Sequence, residues 1–428
     1  MRVLHVITGL GVGGAEQQLR LLIGALPASC EVVTLTNPGA VAEGLTADGV
    51  RVHHLGMAGN RDLSALPRLT RLIRRGRYDL VHTHLYRACL YGRAAARLAG
   101  VRTVVATEHS LGAATIEGRP LGAGVRALYL ASERLGTSTV AVSATIARRL
   151  REWGVPARRI HVVPNGIDAD RFRFDPLLRA RARTLLALPH DAFVIGGVGR
   201  LVAGKRFDVL VRSLPHLPGA RLLLVGGGEQ EAALRALAAR LGVAGRVCFA
   251  GECAYEGGGG GLDLPALLAA ADVLASPSAD EAFGLAVVEA LAAGLPVVYA
   301  TCPAVDDLPP GQAPGAVRAD PAGFLTALRA ASQAPPGRLP VPPAVAHYTI
   351  AASAARLTAV YEAALHGTTP VLGRQHPPLA ANAPAVPDAP DLSARTDTPD
   401  PTNTPVSPAP SDPSDPSDPS VTSGVSAR

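Results

Sequence analysis

The feature that most constrains the fold is an alternation of short β-branched runs with longer helical patterns rich in Ala, Leu and Arg. The chain opens with RVLHVIT (2–8), AEQQLRLLIGAL (15–26) and CEVVTLT (30–36). Strands separated by helices predict right-handed βαβ units and a parallel sheet. The later strand-like runs are DLVHTH (79–84), TVVATEH (103–109), TVAVS (139–143), IHVVPNG (160–166), FVIGGVG (193–199), RLLLVGGG (221–228), RVCFAGE (246–252), DVLASPS (272–278) and PVVYA (296–300).

These runs form two series that change over near NGIDADRF (165–172), and 428 residues suffice for two ordinary domains. The pattern predicts an α/β protein with two tandem Rossmann-like, doubly wound parallel sheets facing a cleft. The predicted parts are an N-terminal domain at 1–168, a C-terminal domain at 169–345, a terminal helix at 346–366 and a tail at 367–428. Ligands of open α/β sheets bind beyond the carboxyl ends of the strands, so the cleft is the expected site.

The predicted tail differs in composition from the rest of the chain. It holds fourteen prolines and the repeat SDPSDPSDPS (411–420), with few large apolar residues. Such a segment buries too little surface to offset its chain entropy, so we expect residues 367–428 to be disordered.

Neither a signal peptide nor a membrane span is predicted. The opening MRVLHVITGL runs directly into a glycine turn, and Glu289 and Pro296 interrupt the most apolar stretch. The five cysteines are odd in number and form no C-x-x-C pair, which argues against a disulfide framework or a zinc knuckle. We expect a cytoplasmic protein whose cysteines are small buried residues.

The net charge of +6 is unevenly distributed, with ten arginines from Arg61 to Arg102 against Asp62 and Asp79. This bias indicates either a face for a phosphate-rich partner or an ordinary solvated helix surface. No nucleic-acid motif accompanies it, so we expect no nucleic-acid partner and, at most, peripheral contact with anionic lipid at the inner face of the membrane.

The N-terminal turn GLGVGGAE (9–16) matches the dinucleotide-binding pattern G-x-G-x-x-G. A dehydrogenase of this kind needs an acidic residue at the end of the second strand, where this chain has Thr34, Thr36 and Asn37. The turn therefore predicts, more weakly, an anion or a hydroxylated ligand at a helix N-terminus, or a tight turn that binds nothing.

The stretch SPSADEAFGLAVVEALAAGLPVV (276–298) places Glu281 before, and Glu289 inside, a helix expected to begin near Gly284. Both residues fit the carboxylates of a site for a nucleotide ribose and a sugar. The alternative is that they are ordinary acids near a helix start, which suits Glu281. It suits Glu289 poorly, because an ionisable group is costly in an otherwise apolar helix.

EAFGLAVVE (281–289), followed by ALAAGLPVV, resembles the nucleotide-sugar site of glycosyltransferase family 4, whose members are retaining enzymes of the GT-B fold. Further motifs of that family occur in order over residues 1 to about 365. They are GLGVGGAEQQ (9–18), DLVHTH (79–84), TEHS (107–110), VPNGID (163–168), GRLVAGKRFD (199–208) and LLVGGGE (223–229).

The resemblance implies a role for each matching residue. Arg200 and Lys205, the only lysine of the chain, would grip the donor diphosphate; Glu289 would hold the ribose and Glu281 the transferred sugar. The backbone of Phe283, Gly284 and Leu285 would contact the sugar and the distal phosphate. Gly13 and Gly14 would line the cleft, and His109 would approach the sugar. Of these, Glu281, His109, Arg200 and Lys205 are the expected catalytic residues. The pattern at 346–365 resembles the family's terminal helix, which crosses back onto the first domain.

Two metal sites were considered. DAD (168–170) has the D-x-D pattern of metal-dependent glycosyltransferases, but Asp168 belongs to the loop at the domain changeover. His82, His84 and His109 form a candidate ligand cluster, but His82 and His84 are one strand step apart with no acidic partner nearby. We expect no metal and no cofactor, only the nucleotide sugar as donor substrate.

The expected activity is transfer of a hexose-type sugar from a nucleotide diphosphate donor to an acceptor hydroxyl, such as that of a lipid-linked saccharide. A sugar-nucleotide epimerase of the same fold and a non-catalytic sugar-nucleotide-binding module are the alternatives. The chain departs from the family at TCPAVDDLPPGQAPGAVRAD (301–320), where family members usually have G-G-x-x-E and D-G-x-x-G. Because this segment borders the base and sugar, the donor's identity stays open.

Overall fold

The computed structural model describes residues 1–59, 62–117, 119–253 and 262–372. The strands within these ranges are β1 Arg2–Ile7, β2 Ser29–Thr34, β3 Arg51–His54, β4 Leu80–His84, β5 Thr103–Glu108, β6 Thr115–Ile116, β7 Arg119–Pro120, β8 Ser138–Ala141, β9 Ile160–Val162, β10 Val194–Val198, β11 Arg221–Val225, β12 Val247–Gly251, β13 Val273–Ser276, β14 Val297–Tyr299 and β15 Ala316–Arg318. The predicted disordered tail lies outside the described residues from residue 373 onward.

The α-helices in the same ranges cover the faces of the sheets. They are α1 Gly14–Ala25, α2 Gly39–Ala47, α3 Ala65–Gly76, α4 Tyr86–Ala99, α5 Ala123–Glu133, α6 Ala144–Trp153, α7 Pro176–Leu185, α8 Asp208–Ser213, α9 Glu231–Arg240, α10 Leu264–Ala270, α11 Leu285–Ala292, α12 Pro303–Asp306, α13 Phe324–Gln333, α14 Pro343–His347 and α15 Ile350–His366.

The first sheet has seven parallel strands in the order β3-β2-β1-β4-β5-β8-β9. Its strand order reverses between β1 and β4, and a crevice opens at the carboxyl ends of strands at such a reversal. The glycine turn 9–14 follows β1, and residue 109 follows β5, so both predicted features lie at this end of the sheet.

The second sheet repeats this plan with six parallel strands in the order β12-β11-β10-β13-β14-β15. Its reversal lies between β10, which leads to Arg200, and β13, which leads to Glu281. The predicted pair of doubly wound parallel sheets is confirmed. The edge strands β3 and β15 were not predicted, because RVHH and AVR are too short to show a pattern.

The last helix, α15, packs against the first sheet. Leu357, Val360 and Tyr361 share a buried cluster with Val3 and Val105. The chain passes from the first sheet to the second near Ile167 and returns near Thr349. These two residues form a parallel bridge, so both crossings lie at the same place.

None of the described helices is both long and apolar enough to span a bilayer. All five cysteines are free; Cys89 and Cys302 are buried, whereas Cys30, Cys248 and Cys253 are only partly buried. The expectation that the cysteines are buried is therefore correct for two of them.

Candidate functional site

The candidate site begins at the N-terminus of α11. Gly284 caps this helix with φ +101°, a conformation that favours glycine, and a Cβ there would collide with Sγ of Cys302. No side chain caps the helix start. The first backbone N–H groups of a helix have no intrahelical partner, so they provide a local positive charge at Leu285.

The start of α1 faces the start of α11 across the cleft. A Cβ added to Gly14, the first residue of α1, would lie 3.3 Å from Cδ1 of Leu285. The N-cap residue of α1 is Gly13, which has no side chain, and the carboxylate of Glu16 lies beside this helix start. Two helix N-termini from different sheets therefore face the same space, an arrangement that attracts anions.

Lys205 and Glu281 form an ion pair beside these helix starts, between Nζ and Oε1. A backbone hydrogen bond of 3.2 Å from Ala279 N to Gly204 O joins the two loops that carry them. The Lys205 side chain runs over Gly199 at the end of β10, 3.5 Å from the position of a Cβ there. The structure thus brings together two residues that were predicted for neighbouring parts of one ligand.

Arg200 is exposed, and its guanidinium has no hydrogen bond or ion pair with a side chain of the described residues; only its backbone carbonyl accepts a hydrogen bond, from Val202 N at 2.9 Å. Burial raises the pKa of Glu16, and the charge of Arg200 opposes this shift; the same two effects act on Glu117. Arg200 of the second sheet therefore lies in the electrostatic field of two carboxylates that belong to the first half of the chain.

Those two carboxylates were not predicted as site residues. A Cβ added to Gly13 would collide with the carboxylate of Glu16, so this group lies at the start of α1. Glu117 accepts a hydrogen bond from the backbone N of Tyr86 and has φ +50°. The motif GLGVGGAEQQ was a signal for Glu16, whereas Glu117 belongs to no motif that was recognised.

Glu289 lies one turn into α11 and is 6% exposed. Burial raises its pKa to about 7, and the charge of Arg171 opposes the shift. A buried carboxyl group with a raised pKa inside an apolar helix is a candidate site residue, because structural acids in such places are usually paired.

Hydrogen bonds between the two halves of the chain hold the loop that carries Glu281 and Phe283. Asp280 accepts from Ala113 N at 2.6 Å and from Arg149 Nη2 at 2.7 Å. Ser143 Oγ donates to Ala282 O at 2.7 Å. Phe283 itself is buried against Tyr348, with ring centroids 5.1 Å apart, so only its backbone is available to a ligand.

The segment 301–320, whose sequence differs from the usual family motifs, also takes part in this contact between the two halves of the chain. Asp307 accepts from both the backbone N and the Oγ1 of Thr145, at 3.0 and 2.9 Å. Asp306 accepts from Cys302 N and from the hydroxyl of Tyr299. In this segment Asp307 therefore binds the first half of the chain, whereas Asp306 stabilises the segment itself.

His109 is partly buried at the end of β5, where its Nε2 lies 3.1 Å from Nδ1 of His84. Burial lowers its pKa to about 4, so it is neutral at physiological pH. The loop that follows it reaches Asp280 through Ala113. His109 therefore lies on the first-sheet side of the cleft, and Glu281 on the other.

Two family models match the chain. The model of Glycosyltransferase Family 4 matches residues 12–171, and the model of Glycosyl transferases group 1 matches residues 192–333. Together these matches support a glycosyltransferase of family 4.

D-inositol 3-phosphate glycosyltransferase 1 of Catenulispora acidiphila is 35% identical over 283 residues, which are 59% of this chain and 65% of that protein. D-inositol 3-phosphate glycosyltransferase of Acidothermus cellulolyticus is 38% identical over 248 residues, 53% of this chain and 52% of that protein. The matched part thus spans less than two thirds of these relatives.

HepE of Anabaena, in a crystal structure with UDP and glucose, superposes with a TM-score of 0.73 at 21% identity, over 85% of this chain and 100% of that one. This likeness concerns the fold, and the predicted GT-B fold is confirmed.

The sequence offers two groups of residues as candidate metal sites, the D-x-D at 168–170 and the histidines. Asp168 and Asp170 are exposed, and Asp170 pairs with Arg173. The sequence suggested His82, His84 and His109 as a candidate cluster. In the structure, the histidines whose ligand atoms all lie within 4.8 Å of one another are His5, His82 and His84. Both ring nitrogens of His82 and of His84 already have hydrogen-bond partners.

Proposed function

We propose that this protein transfers a hexose-type sugar from a nucleoside diphosphate donor to an acceptor hydroxyl, with retention of anomeric configuration. The observation that carries the proposal is the pair of helix N-termini, at Gly14 and Leu285, that face each other, with Arg200 acting on Glu16 of the first helix and Lys205 paired with Glu281 just before the second. Helix dipoles and two cations around one space suit a diphosphate. The family-model matches and the match to an enzyme structure containing UDP support the same donor class.

The chemistry in such a site is electrostatic. As the bond between sugar and phosphate breaks, negative charge grows on the departing diphosphate, and Arg200, Lys205 and the helix N–H groups stabilise it. Glu281 and Glu289 accept hydrogen bonds from sugar and ribose hydroxyls, and an ionised carboxylate does so more strongly than an amide. As the acceptor oxygen bonds to the anomeric carbon, the proton of its hydroxyl passes to the departing diphosphate, so we propose that no metal or separate catalytic base takes part.

A panel of nucleotide sugars, screened by thermal shift and then by product formation, tests this proposal, because a ligand of the folded state raises its stability. We expect a UDP-sugar to stabilise the protein and to be consumed only with acceptor. The names of the relatives make D-inositol 3-phosphate the first acceptor to test. Conversion of the donor to an epimer without acceptor would indicate the epimerase instead, and donor binding without turnover the non-catalytic module. The anomeric configuration of the product, read by NMR, tests retention.

Glu289→Gln and Glu281→Gln test the assignment of the two carboxylates. Hydrogen bonds to charged groups contribute about 1.5–3 kcal/mol each, so Glu289→Gln should weaken donor binding tenfold or more. Glu281→Gln should lower turnover more than it changes the affinity for the nucleoside diphosphate. Glu231→Gln, on α9 of the same half, is the matched control and should behave like the parent. Parent-like binding and turnover in both site variants would reject the assignment.

We also propose that α3 binds anionic lipid. Its buried face includes Leu69 and Ile73, while Arg71, Arg74 and Arg75 are exposed. Vesicles with anionic lipid should bind the protein in a salt-sensitive way. Binding should fall in Arg71→Glu/Arg75→Glu but not in the control Arg212→Glu, which alters an exposed arginine of α8. Equal sedimentation with neutral and anionic vesicles at low salt would reject this part.

A further inference from the structure

The loop between β13 and α11 carries an acid whose partners lie in the other half of the chain. Oδ2 of Asp280 accepts a hydrogen bond from the backbone N of Ala113 at 2.6 Å, and Oδ1 accepts one from Nη2 of Arg149 at 2.7 Å. Among the described residues, its carboxylate has no hydrogen bond to the second half. The residue directly before Glu281 is therefore held by the first half.

The first half shapes a binding place for this carboxylate. Nη1 of Arg149 donates to Leu111 O at 2.8 Å, so one guanidinium joins that carbonyl to Asp280. A Cβ added to Gly112 would lie 2.5 Å from Oδ2 of Asp280, so the carboxylate occupies the space that a side chain there would need. Ala113 supplies the N–H. Hydrogen bonds to an ionised acceptor are strong, so this contact defines the position of the carboxylate well.

The turn 111–116, which provides most of this binding place, is closed by its own backbone. Leu111 and Ile116 form an antiparallel bridge, and Gly112 N donates to Thr115 O at 2.8 Å. Because the turn is fixed by its own hydrogen bonds, the carboxylate that it binds has one defined place.

Glu281 lies between two residues that the first half holds. Asp280 binds there on one side of it, and on the other side Ala282 O accepts a hydrogen bond from Ser143 Oγ at 2.7 Å. The partner of Glu281 itself, Lys205, belongs to the second half. The segment between β13 and α11 forms neither helix nor strand. Contacts with the first half therefore contribute directly to where this carboxylate lies.

We propose that Asp280 is a positioning residue for Glu281. Its contacts in the first half set the place at which the carboxylate of Glu281 meets the donor sugar, and Asp280 itself does not touch the donor. This inference rests on the proposed function, in which Glu281 holds the transferred sugar. Glu289, which holds the ribose there, lies in α11 and does not depend on this contact.

The alternative is an ordinary ion pair, since pairs that water reaches contribute little to stability. The side chains of Arg149 and Asp280 are 19% and 32% exposed. Arg20 and Asp48 form a comparable pair inside the first half, with Nε 2.6 Å from Oδ2 and Nη2 3.0 Å from Oδ1. Asp48→Asn is therefore the matched control, because it weakens a pair that does not join the two halves.

Steady-state kinetics with the UDP-sugar that the panel above selects is the first test. Asp280→Ala loses both contacts, and we expect kcat to fall at least about tenfold, because displacement of a reacting group is costly. Asp280→Asn keeps an acceptor for Ala113 but loses the charge, so its kcat should lie between those of Asp280→Ala and the parent. Arg149→Met should lower kcat as well. Adding it to Asp280→Ala should cause no further loss, because both changes act on one contact. Asp48→Asn should behave like the parent.

Titration calorimetry separates positioning from general support of the fold. In Asp280→Ala, the affinity for UDP should stay that of the parent, because UDP lacks the sugar. The affinity for the UDP-sugar should fall about threefold or more, the effect of one weakened hydrogen bond. An equal loss of affinity for UDP and for the UDP-sugar would overturn the proposal, and so would a parent-like kcat in Asp280→Ala.

Amide hydrogen exchange, read by mass spectrometry, reports the contact without relying on activity. The segments 110–116 and 279–284 share this contact, so both should exchange faster in Asp280→Ala and at the parent rate in Asp48→Asn. Parent-like exchange of both segments in Asp280→Ala would overturn the proposal. A parent protein that transfers no sugar would reject the proposed function, and the exchange rates and the two titrations would still decide this inference. Transfer by the parent, with full turnover in Asp280→Ala, would reject this inference alone.

Discussion

The two sheets share a strand order but differ in what their strands bury. The buried residues of β10, β11, β13 and β14 are almost all aliphatic, whereas β1, β4 and β5 also bury polar side chains. These polar residues are His5, His82, Thr83, His84, Thr103, Thr107 and Glu108. In the second half, the candidate charges Arg200, Lys205 and Glu281 lie on loops after the strands.

This difference separates two ways of building a site. Charges on loops can be changed without disturbing a core, so their substitution should affect activity and spare stability. Polar groups inside a sheet must keep their hydrogen bonds, because an unpaired buried group costs free energy. In the first half, therefore, the fold and the site depend on the same side chains.

The largest expected effect is on stability and comes from the first sheet. His82→Leu leaves the hydroxyls of Tyr361 and Thr107 without their partner. We expect the free energy of unfolding to fall by about 2–6 kcal/mol, since each of the two unpaired buried groups costs about 1–3 kcal/mol. Urea denaturation measures this. An unchanged unfolding midpoint would show that the polar interior is dispensable, and the comparison would fail.

The next effect is on activity and comes from the second half. Lys205→Arg replaces a compact ammonium, packed over Gly199, with a broader planar group. We expect turnover to fall at least tenfold while the thermal unfolding midpoint stays that of the parent. Arg212→Lys, at an exposed site on α8, is the control and should retain full activity. Parent-like activity in Lys205→Arg would make Lys205 an ordinary surface residue.

Glu289 is an exception within the second half, because it is buried in a helix. The pH dependence of donor affinity that this residue causes is a further test of the comparison. Burial raises its pKa to about 7, so the proton must leave before the carboxylate can accept hydrogen bonds from a ribose. Donor affinity should therefore be about tenfold weaker at pH 6 than at pH 8. Titration calorimetry across this range measures it. The dependence should disappear in Glu289→Gln; the same slope in that variant would assign it to another group.

The smallest effect is expected from removing residues 367–428. Apart from Leu372, which packs at the edge of the buried cluster of α15, these residues have a composition that predicts no contribution to a core, so the melting temperature and donor turnover should stay close to those of the parent. A chain that ends at residue 345 is the informative counterpart, because it also lacks α15 and uncovers the first sheet. A large loss of stability in the first truncation would contradict the prediction.

The sequence predicted the long elements well and the contacts between them poorly. Strands such as β1 and β4 were visible because runs of β-branched residues alternate with helical patterns. The short edge strand β3 was not, since only Val52 in it is β-branched. The start of α11 was predicted correctly, because Gly284 marks it in the sequence.

The pairings within the site could not be read from the sequence. Lys205 and Glu281 are 76 residues apart and meet only because β10 and β13 are neighbours in the sheet. His5 joins His84 because β1 and β4 pair in a particular register, which no local pattern encodes. The sequence thus suggested which residue types matter, but not which of them touch.

The return of α15 to the first sheet has a consequence for how the protein is made. The strands of that sheet are complete at residue 162, but the helix that covers one of its faces begins at residue 350. At a synthesis rate of about 5–20 residues per second, that apolar face leaves the ribosome roughly 10–40 s before its cover does. During that time, the uncovered apolar face of the sheet is exposed to water, and we expect chaperones that bind apolar surfaces to bind it. The first domain is complete only after α15 has left the ribosome and packed against its sheet.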